Sequence, residues 1–235
     1  MRIENYLNTT EEEVRNRTHN IWIGISFGNK YFTNERVKKY IELALNYTKE
    51  NVLVVVADYI HAINLEVLDN RTSAAALNKA LRLGEEKYKE LEKIIDELLI
   101  EQKARVKLVR WKDSVNQLSY KKNLAIIKEE FQNNKEFHDY ILEIVKNGRS
   151  DRISRLDKLS KEKMDRLADY ILNELPHFVD GVQTYNEKVY TLLLYPGLSG
   201  LDTLFVGLQN KTMFPALVEK LHITHKIGIL EAYTE

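Results

Sequence analysis

A serine between two glycines is the first feature of this sequence that could do chemistry. The segment reads Gly24-Ile25-Ser26-Phe27-Gly28, a G-x-S-x-G pattern at the end of an apolar run. In a nucleophile elbow of this pattern, the small neighbours permit a sharp turn that exposes the serine oxygen near backbone N–H groups. Glycine and serine are common at strand ends, so the pattern alone leaves Ser26 as either a nucleophile or an ordinary turn residue.

The rest of the chain does not readily complete a serine hydrolase around this elbow. Only 20 residues precede the strand that ends in Ser26, whereas an α/β-hydrolase places several strands there. Such an enzyme also needs an acid and a histidine downstream. His177, His222 and His225 are available, but none stands in a sequence context that indicates this role. A serine hydrolase or acyltransferase is therefore the alternative function.

The composition excludes several other classes. The 235 residues contain no cysteine, which excludes a disulfide scaffold, a thiol nucleophile and a zinc site built on thiolates. The 35 basic and 35 acidic side chains balance, so the chain lacks the overall basic charge of many nucleic-acid-binding domains. The polar start has no signal-peptide core, and no apolar run reaches the roughly 20 residues of a membrane helix. We expect a cytoplasmic monomer without a metal or a membrane partner.

Apolar runs predict the strands that position Ser26. Continuous apolar character at residues 21–26 and 52–57 is typical of strands buried on both faces, as in parallel sheets. Further strands are predicted at residues 105–111, 189–195 and 226–230. Because strands alternate with helices, we expect one domain over residues 1–235, with a Rossmann-like, mostly parallel α/β sheet flanked by helices. The site should lie at the carboxyl ends of the strands.

Helix ends are predicted from capping residues and proline. Thr33 or Asn34 can cap a first helix, and Ser73 can cap a long one. A later helix should begin after Ser160 and end before Pro176, because proline lacks the N–H that continues a helix. The remaining helices are predicted at residues 115–132, 135–146 and 199–208.

Three separated segments add a second pattern that includes the elbow. They read His19-Asn20-Ile21-Trp22-Ile23-Gly24-Ile25-Ser26-Phe27-Gly28-Asn29-Lys30-Tyr31-Phe32, then Asp169-Tyr170-Ile171-Leu172-Asn173-Glu174-Leu175-Pro176-His177-Phe178, then Leu192-Leu193-Leu194-Tyr195-Pro196, with Asp69-Asn70-Arg71-Thr72 as a weaker match. In order, spacing and length they resemble the tRNA-dependent cyclodipeptide synthases, from about residue 19 to the end. The resemblance implies a fold similar to the catalytic domain of class I aminoacyl-tRNA synthetases. The ATP-handling signatures of those synthetases are absent, which fits an already activated aminoacyl ester, so we expect no cofactor.

The resemblance implies roles for four residues. Ser26 would attack the ester of a first aminoacyl-tRNA and carry its residue; a second aminoacyl-tRNA would complete a dipeptidyl-enzyme, whose free amine closes a diketopiperazine. Tyr170 and Glu174, four apart on one helix face, would grip the α-ammonium group. Tyr195 would position Ser26 or relay a proton. No general base accompanies Ser26 in the sequence, and the resemblance implies help from the terminal ribose hydroxyl of the tRNA.

Two residues near the nucleophile carry the marks of different groups within the family. One group has asparagine three residues after the serine and a Tyr-His pair, and the other has a variable residue and a Tyr-Pro pair. This chain has Asn29 together with Tyr195-Pro196. Pro196 places it nearer the second group, and the orienting role of Asn29 stays open. By resemblance, we expect both residues to contact the substrate.

The residues that share the face of Ser26 predict the substrate pocket. Residues two and four positions earlier in a strand are Gly24 and Trp22. By resemblance, these two and Leu193 line the pocket for the first aminoacyl group. An indole narrows that pocket, so we expect a small first residue, with alanine the best candidate.

Charge is unevenly distributed along the chain. Residues 85–101 hold seven acids and three lysines, residues 103–128 hold eight bases and one acid, and residues 146–163 hold seven bases and three acids. Phosphates need a basic surface, so we expect Lys121 and Lys122, with Lys79 and Arg82 early in the long helix, to contact the acceptor stem. The alternation in residues 105–112 equally fits the exposed face of an edge strand.

A non-catalytic tRNA-binding relative is a third interpretation of the chain.

Overall fold

The computed structural model describes residues 1–27, 29–148, 156–184 and 188–233. Its main sheet contains β1 (Arg2–Leu7), β2 (Ile21–Ile25), β3 (Val52–Val56), β4 (Val106–Arg110), β7 (Leu192–Tyr195) and β8 (Gly228–Tyr233). The strand order is β1-β8-β7-β2-β3-β4, and β1 alone among these six runs antiparallel to its neighbour. A separate antiparallel pair joins β5 (Val182–Gln183) to β6 (Val189–Tyr190). The predicted mostly parallel α/β sheet is confirmed.

Helices cover both faces of the sheet. They are α1 (Glu11–Arg15), α2 (Asn34–Tyr47), α3 (Asp58–Val67), α4 (Ser73–Asp96), α5 (Ile100–Lys103), α6 (Trp111–Ser114), α7 (Leu118–Asn133), α8 (Lys135–Asn147), α9 (Lys161–Asp180), α10 (Gly200–Gln209) and α11 (Pro215–Val218). Strand alternation divides the core in two. Leu53 and Val55 face the side covered by α3 and α7 to α10, while Val52, Val54 and Val56 face α2 and the end of α4.

The prediction that Pro176 ends its helix is wrong. Helix α9 continues through it to Asp180 and stops at Gly181, whose φ of +83° suits glycine and whose N–H donates to the His177 carbonyl at 2.9 Å. Every residue of the last turn, from Pro176 to Asp180, is buried. Tertiary packing therefore outweighs the hydrogen bond that proline cannot donate.

The predicted strand at residues 189–195 is also wrong, because it is two strands in two sheets. Tyr190 pairs with Val182 in the small sheet, whereas Leu192 pairs with β2 and β8 in the main one. Between them, the Thr191 N–H bonds the Asn20 carbonyl at 3.2 Å. The chain changes its partner at this residue.

Strand β1 and helix α3 were not predicted, and the cap of α4 lies one residue earlier than expected. Thr72, not Ser73, accepts the Ala75 N–H, and the Ser73 hydroxyl instead donates to Glu66 at 3.0 Å. Thr33 caps α2, as one of the two predicted candidates.

Candidate active site

The sheet brings Ser26 and Tyr195 together. Strands β2 and β7 are parallel neighbours with Trp22 opposite Leu193, so both end at the same edge of the sheet. Ser26 directly follows β2, and Tyr195 is the last residue of β7. Their side-chain oxygens, Oγ and Oη, lie 3.0 Å apart. Gly28, the last residue of the elbow pattern, lies outside the described residues.

Burial keeps the Tyr195 phenol protonated. It raises the pKa of Tyr195 above its usual value, and the nearby negative charge of Glu174 raises it further. Hydrogen bonds with Ser26 and Asn29 act in the opposite direction. A protonated phenol at this distance can donate to the Ser26 oxygen and stabilise negative charge that develops on it.

A cavity of about 630 Å³ opens over this pair. All four residues predicted to do chemistry line it: Ser26, Tyr170, Glu174 and Tyr195. So do four of the five predicted substrate residues: Trp22, Gly24, Asn29 and Leu193. Pro196, the fifth, directly follows β7 and is not among the residues that line the cavity. The volume is in the range of pockets that bury small organic ligands.

Helix α9 carries Tyr170 and Glu174 on the face toward the cavity. Tyr170 is buried. Burial raises the pKa of both Tyr120 and Tyr195, and the nearby charge of Glu174 raises each pKa further. The Tyr120 hydroxyl donates to the Asn173 carbonyl at 2.8 Å and so ties α7 to this part of α9. The arrangement places negative charge near Ser26, where it can hold an ammonium group.

Trp22 and Gly24 shape the wall beside the nucleophile. The Trp22 ring packs edge-on against His177 and Phe178, with centroids 6.3 and 5.8 Å away. A Cβ atom added at Gly24 would lie 3.5 Å from Trp22 Cζ3, an ordinary contact. Gly24 therefore leaves free volume between the indole and Ser26.

The three histidines that the sequence offered for a hydrolase triad do not assemble one with Ser26. His177 lines the cavity, but its Nε2 lies 3.1 Å from the Ser114 hydroxyl, and burial lowers its pKa to about 3. His225 bonds Asp180, and the His222 backbone bonds Asn123. Among the described residues, the side chain that pairs with the Ser26 oxygen is the Tyr195 phenol, not an imidazole.

Sequence reasoning missed several cavity residues. His61 and Asn64 lie on α3, the helix that was not predicted, and Asp69 follows it. Asp202 lies on α10 in an S-x-x-D arrangement that is typical of helix caps and conceals any other role. No local pattern distinguishes His61, Asn64 and Asp202 from ordinary helix residues. Asp69 belongs to the segment that matches the family weakly, but it carried no predicted role in the site.

The predicted tRNA-contact residues differ in their surroundings. Lys121 and Lys122 are exposed on α7, Arg82 pairs with Glu86 at 2.7 Å, and Lys79 lies 3.9 Å from Asp69. Three other bases of the 103–128 stretch are paired with acids: Lys103, Arg110 and Lys128. Strand β4 is an edge strand, as the alternation at 105–112 suggested. Arg149, Arg152 and Arg155 of the second basic stretch lie outside the described residues.

The described part of the chain lacks two further kinds of feature. No helix there is long and apolar enough to cross a membrane. No group of three or more His, Asp or Glu residues there is arranged to hold a metal ion.

Comparison with protein families agrees with this geometry. The family model described as cyclodipeptide synthase matches residues 2–211. The chain belongs to the cyclodipeptide synthase family. None of the curated protein sequences matches it significantly.

Solved cyclodipeptide synthases share the fold at low sequence identity. The enzyme from Staphylococcus haemolyticus is 19% identical, with a TM-score of 0.70 over 97% of this chain and 98% of that one. The Mycobacterium tuberculosis protein, related to type I tRNA synthetases, is 19% identical, with a TM-score of 0.67 over 93% and 87%. The synthase from Candidatus Glomeribacter gigasporarum, bound to Phe-tRNAPhe, is 16% identical, with a TM-score of 0.59 over 92% and 89%.

Proposed function

We propose that this protein makes a cyclic dipeptide from two aminoacyl-tRNAs, bound one after the other, through an aminoacyl ester on Ser26. The observation that carries the proposal is the 3.0 Å contact between Ser26 Oγ and Tyr195 Oη inside the cavity that Glu174 lines. A nucleophile, a donor to its oxygen and a carboxylate for an ammonium group are the parts that this reaction needs.

Each residue has a defined task in the proposed reaction. Ser26 Oγ attacks the ester carbon of the first aminoacyl-tRNA, and its proton goes to the tRNA ribose oxygen that leaves. Tyr170 and Glu174 hold the α-ammonium of the tethered residue. After that amine has taken the second residue from its tRNA, the new terminal amine attacks the seryl ester and releases the ring. Tyr195 donates to the Ser26 oxygen when it leaves.

The same geometry disfavours the serine hydrolase. A hydrolase needs a base that activates water against the acyl-enzyme. Of the two histidines that line the cavity, His177 is bonded to Ser114 and stays neutral, and the side chain bonded to the Ser26 oxygen is the Tyr195 phenol rather than His61. We further propose that the chain belongs near the Tyr-Pro group and works as a monomer in the cytoplasm, where aminoacyl-tRNAs are made.

Trp22 supports a small first residue, with alanine the best candidate. Its buried indole occupies the wall next to Gly24, on the strand that leads to the nucleophile. A large side chain would have to displace the ring or avoid this wall.

Exposed lysines on α7 support docking of the acceptor stem beside α9. Lys121 and Lys122 directly follow Tyr120, which is bonded to the helix of Glu174. Lys79 and Arg82, on α4, are proposed as secondary contacts.

Expression in bacteria tests the proposal. Culture extracts should contain a cyclic dipeptide found by mass spectrometry, and the Ser26→Ala variant should lose it. Esterase activity without a cyclic dipeptide would instead support the hydrolase. Retention of tRNA without either activity would support a binding protein.

A further inference from the structure

The proposed reaction needs two amines to be deprotonated in one cavity. The tethered residue must lose a proton before its amine attacks the second ester, and the second residue must do so before it closes the ring. Glu174 is placed for the first of these amines. The cavity contains a further buried carboxylate that no step above uses.

That carboxylate is Asp202, on the first turn of α10. It lines the cavity and is only 7% exposed. Its negative charge is close enough to raise the pKa of the Tyr195 phenol, as that of Glu174 does. Helix α10 packs against α9, with the Phe178 and Phe205 rings 5.7 Å apart. Both carboxylates are therefore held near the Ser26–Tyr195 pair by helices that contact each other.

The Oδ2 atom of Asp202 has a structural role as part of a helix cap. The Ser199 backbone N–H and hydroxyl both donate to its Oδ2 atom, which completes a capping box. Both of these bonds end on Oδ2, and the backbone N–H of Asp202 itself gives the carboxylate a further hydrogen bond. The residue nevertheless lines the cavity. A capping role alone would not require the carboxylate to line the reaction site.

We propose that Asp202 binds the α-ammonium of the second residue and takes its proton before ring closure. This inference rests on the proposed function. The ammonium gives one proton to Asp202, and the amine nitrogen forms a bond to the seryl ester carbon as the bond from that carbon to Ser26 Oγ breaks. The second amine proton passes to Ser26 Oγ through Tyr195, and Asp202 returns its own proton to solvent.

The surroundings of Asp202 suit a base. Burial raises its pKa to about 6, with the Ser199 hydrogen bonds lowering it and the charge of Glu231 raising it. The charged or titratable groups that face it are Glu231 on β8, Tyr195 on β7 and, beyond that phenol, Glu174 on α9. A base works best when its pKa lies near the working pH.

The test separates ester formation from ring closure. The purified protein is mixed with bulk bacterial tRNA charged with all the standard amino acids; the acyl adduct is measured by intact-protein mass spectrometry and the product by liquid chromatography with mass spectrometry. Asp202→Asn keeps oxygen and size for the cap but removes the base. We expect its adduct to form within about threefold of the wild-type rate and its product to fall by about 100-fold.

Controls exclude a purely structural effect. Glu13→Gln alters the matching capping box on α1, where Thr10 caps, and should leave adduct and product unchanged. If Asp202→Asn forms the product at the wild-type rate, the proposal is overturned. It is also overturned if the variant loses the adduct and the product together. If Asp202→Asn does not fold, the pH dependence of the wild type decides: the product rate should fall as pH drops through about 6, and a flat rate overturns the proposal. A wild type with neither adduct nor product refutes the proposed function itself.

Discussion

The candidate site has two halves that are positioned in different ways. The strand-borne half consists of Ser26, Tyr195 and the wall residues of β2 and β7, whose relative places follow from one register, Trp22 opposite Leu193. The helix-borne half contains Glu174 and Asp202, whose places depend on how α9 and α10 pack. In the proposed reaction, the first half supplies the nucleophile and the shape of the pocket, and the second supplies the charge. The comparison teaches that covalent chemistry and amine handling can be perturbed separately.

The largest effect is expected in the helix-borne half, from Glu174→Gln. Loss of the carboxylate leaves the ammonium group without its partner in a partly buried site, so product formation should fall by about 1000-fold. Quantitative mass spectrometry of the product measures it. Glu162→Gln, at the exposed start of the same helix, is the control. A fall of less than tenfold would remove Glu174 from the mechanism.

In the strand-borne half, Tyr195→Phe should slow both adduct formation and product release by about 100-fold, because one donor to a developing oxyanion is lost. Rapid-quench measurement of the adduct reports on the first step. Tyr190→Phe, a buried tyrosine of the small sheet, should have no such effect. If product release alone slows, Tyr195 acts with the helix-borne half in handling the amine and not in the attack by Ser26.

Trp22→Leu should change the choice of the first residue more than the rate. The larger pocket should raise the share of products with a bulky residue by at least tenfold relative to the wild type, since pocket shape discriminates by about 10- to 200-fold. The product spectrum from a culture extract measures this. Ile23→Val, which faces the opposite core, should leave the spectrum unchanged. An identical spectrum in Trp22→Leu would contradict the proposed pocket wall.

His177 lies on α9 and packs against the Trp22 ring of β2, and its protonation should affect the stability of the protein. Burial lowers its pKa in the folded protein to about 3, so between pH 3 and 6.5 the unfolded chain binds the extra proton. The contribution of His177 is complete above pH 6.5 and is lost as the pH falls, by at most about 1.4 kcal/mol per pH unit. Urea unfolding at several pH values measures the free energy of unfolding, which should depend less steeply on pH in His177→Gln than in the wild type. The raised pKa of Asp202 acts in the opposite sense, because the folded protein then binds the proton. An unchanged slope would show that His177 is already neutral in the unfolded chain or remains accessible to protons.

The smallest effect is expected outside both halves. Reversing Lys121 and Lys122 to Glu should lower product yield by a few fold and weaken its dependence on salt, because fewer phosphate contacts are made. A paired control reverses Lys89 and Lys93 on the acidic face of α4, with the same change in net charge. Equal losses in both double variants would indicate a general charge effect and not a docking surface.

The strand-borne half could be predicted because strand patterns are local. The apolar runs predict strands that end near Ser26 and Tyr195, and the resemblance to the cyclodipeptide synthases selects these two residues. Parallel strands then bring their carboxyl ends together. The face shared by Trp22, Gly24 and Ser26 follows from the two-residue period of a strand.

The errors fall where local signals are missing or are outweighed. Helix α3 starts directly after β3 without a side-chain cap, so no start signal exists for it. Strand β1 pairs with β8, more than 200 residues away in the chain, and its pattern has meaning only beside that partner. At Pro176 the burial of the last turn outweighs the proline.

The sequence by itself predicted Ser26 and Tyr195 through the family resemblance, and it predicted the strand face of the proposed pocket wall through the two-residue period of a strand, because both signals are read within short segments of the chain. Only the tertiary structure decided that Asp202 and residues of α3 line the same cavity. It also decided that His177 is hydrogen-bonded to Ser114 and which lysines are paired with acids. Contacts between helices depend on how distant segments pack against the sheet, and no local pattern in the chain encodes that arrangement.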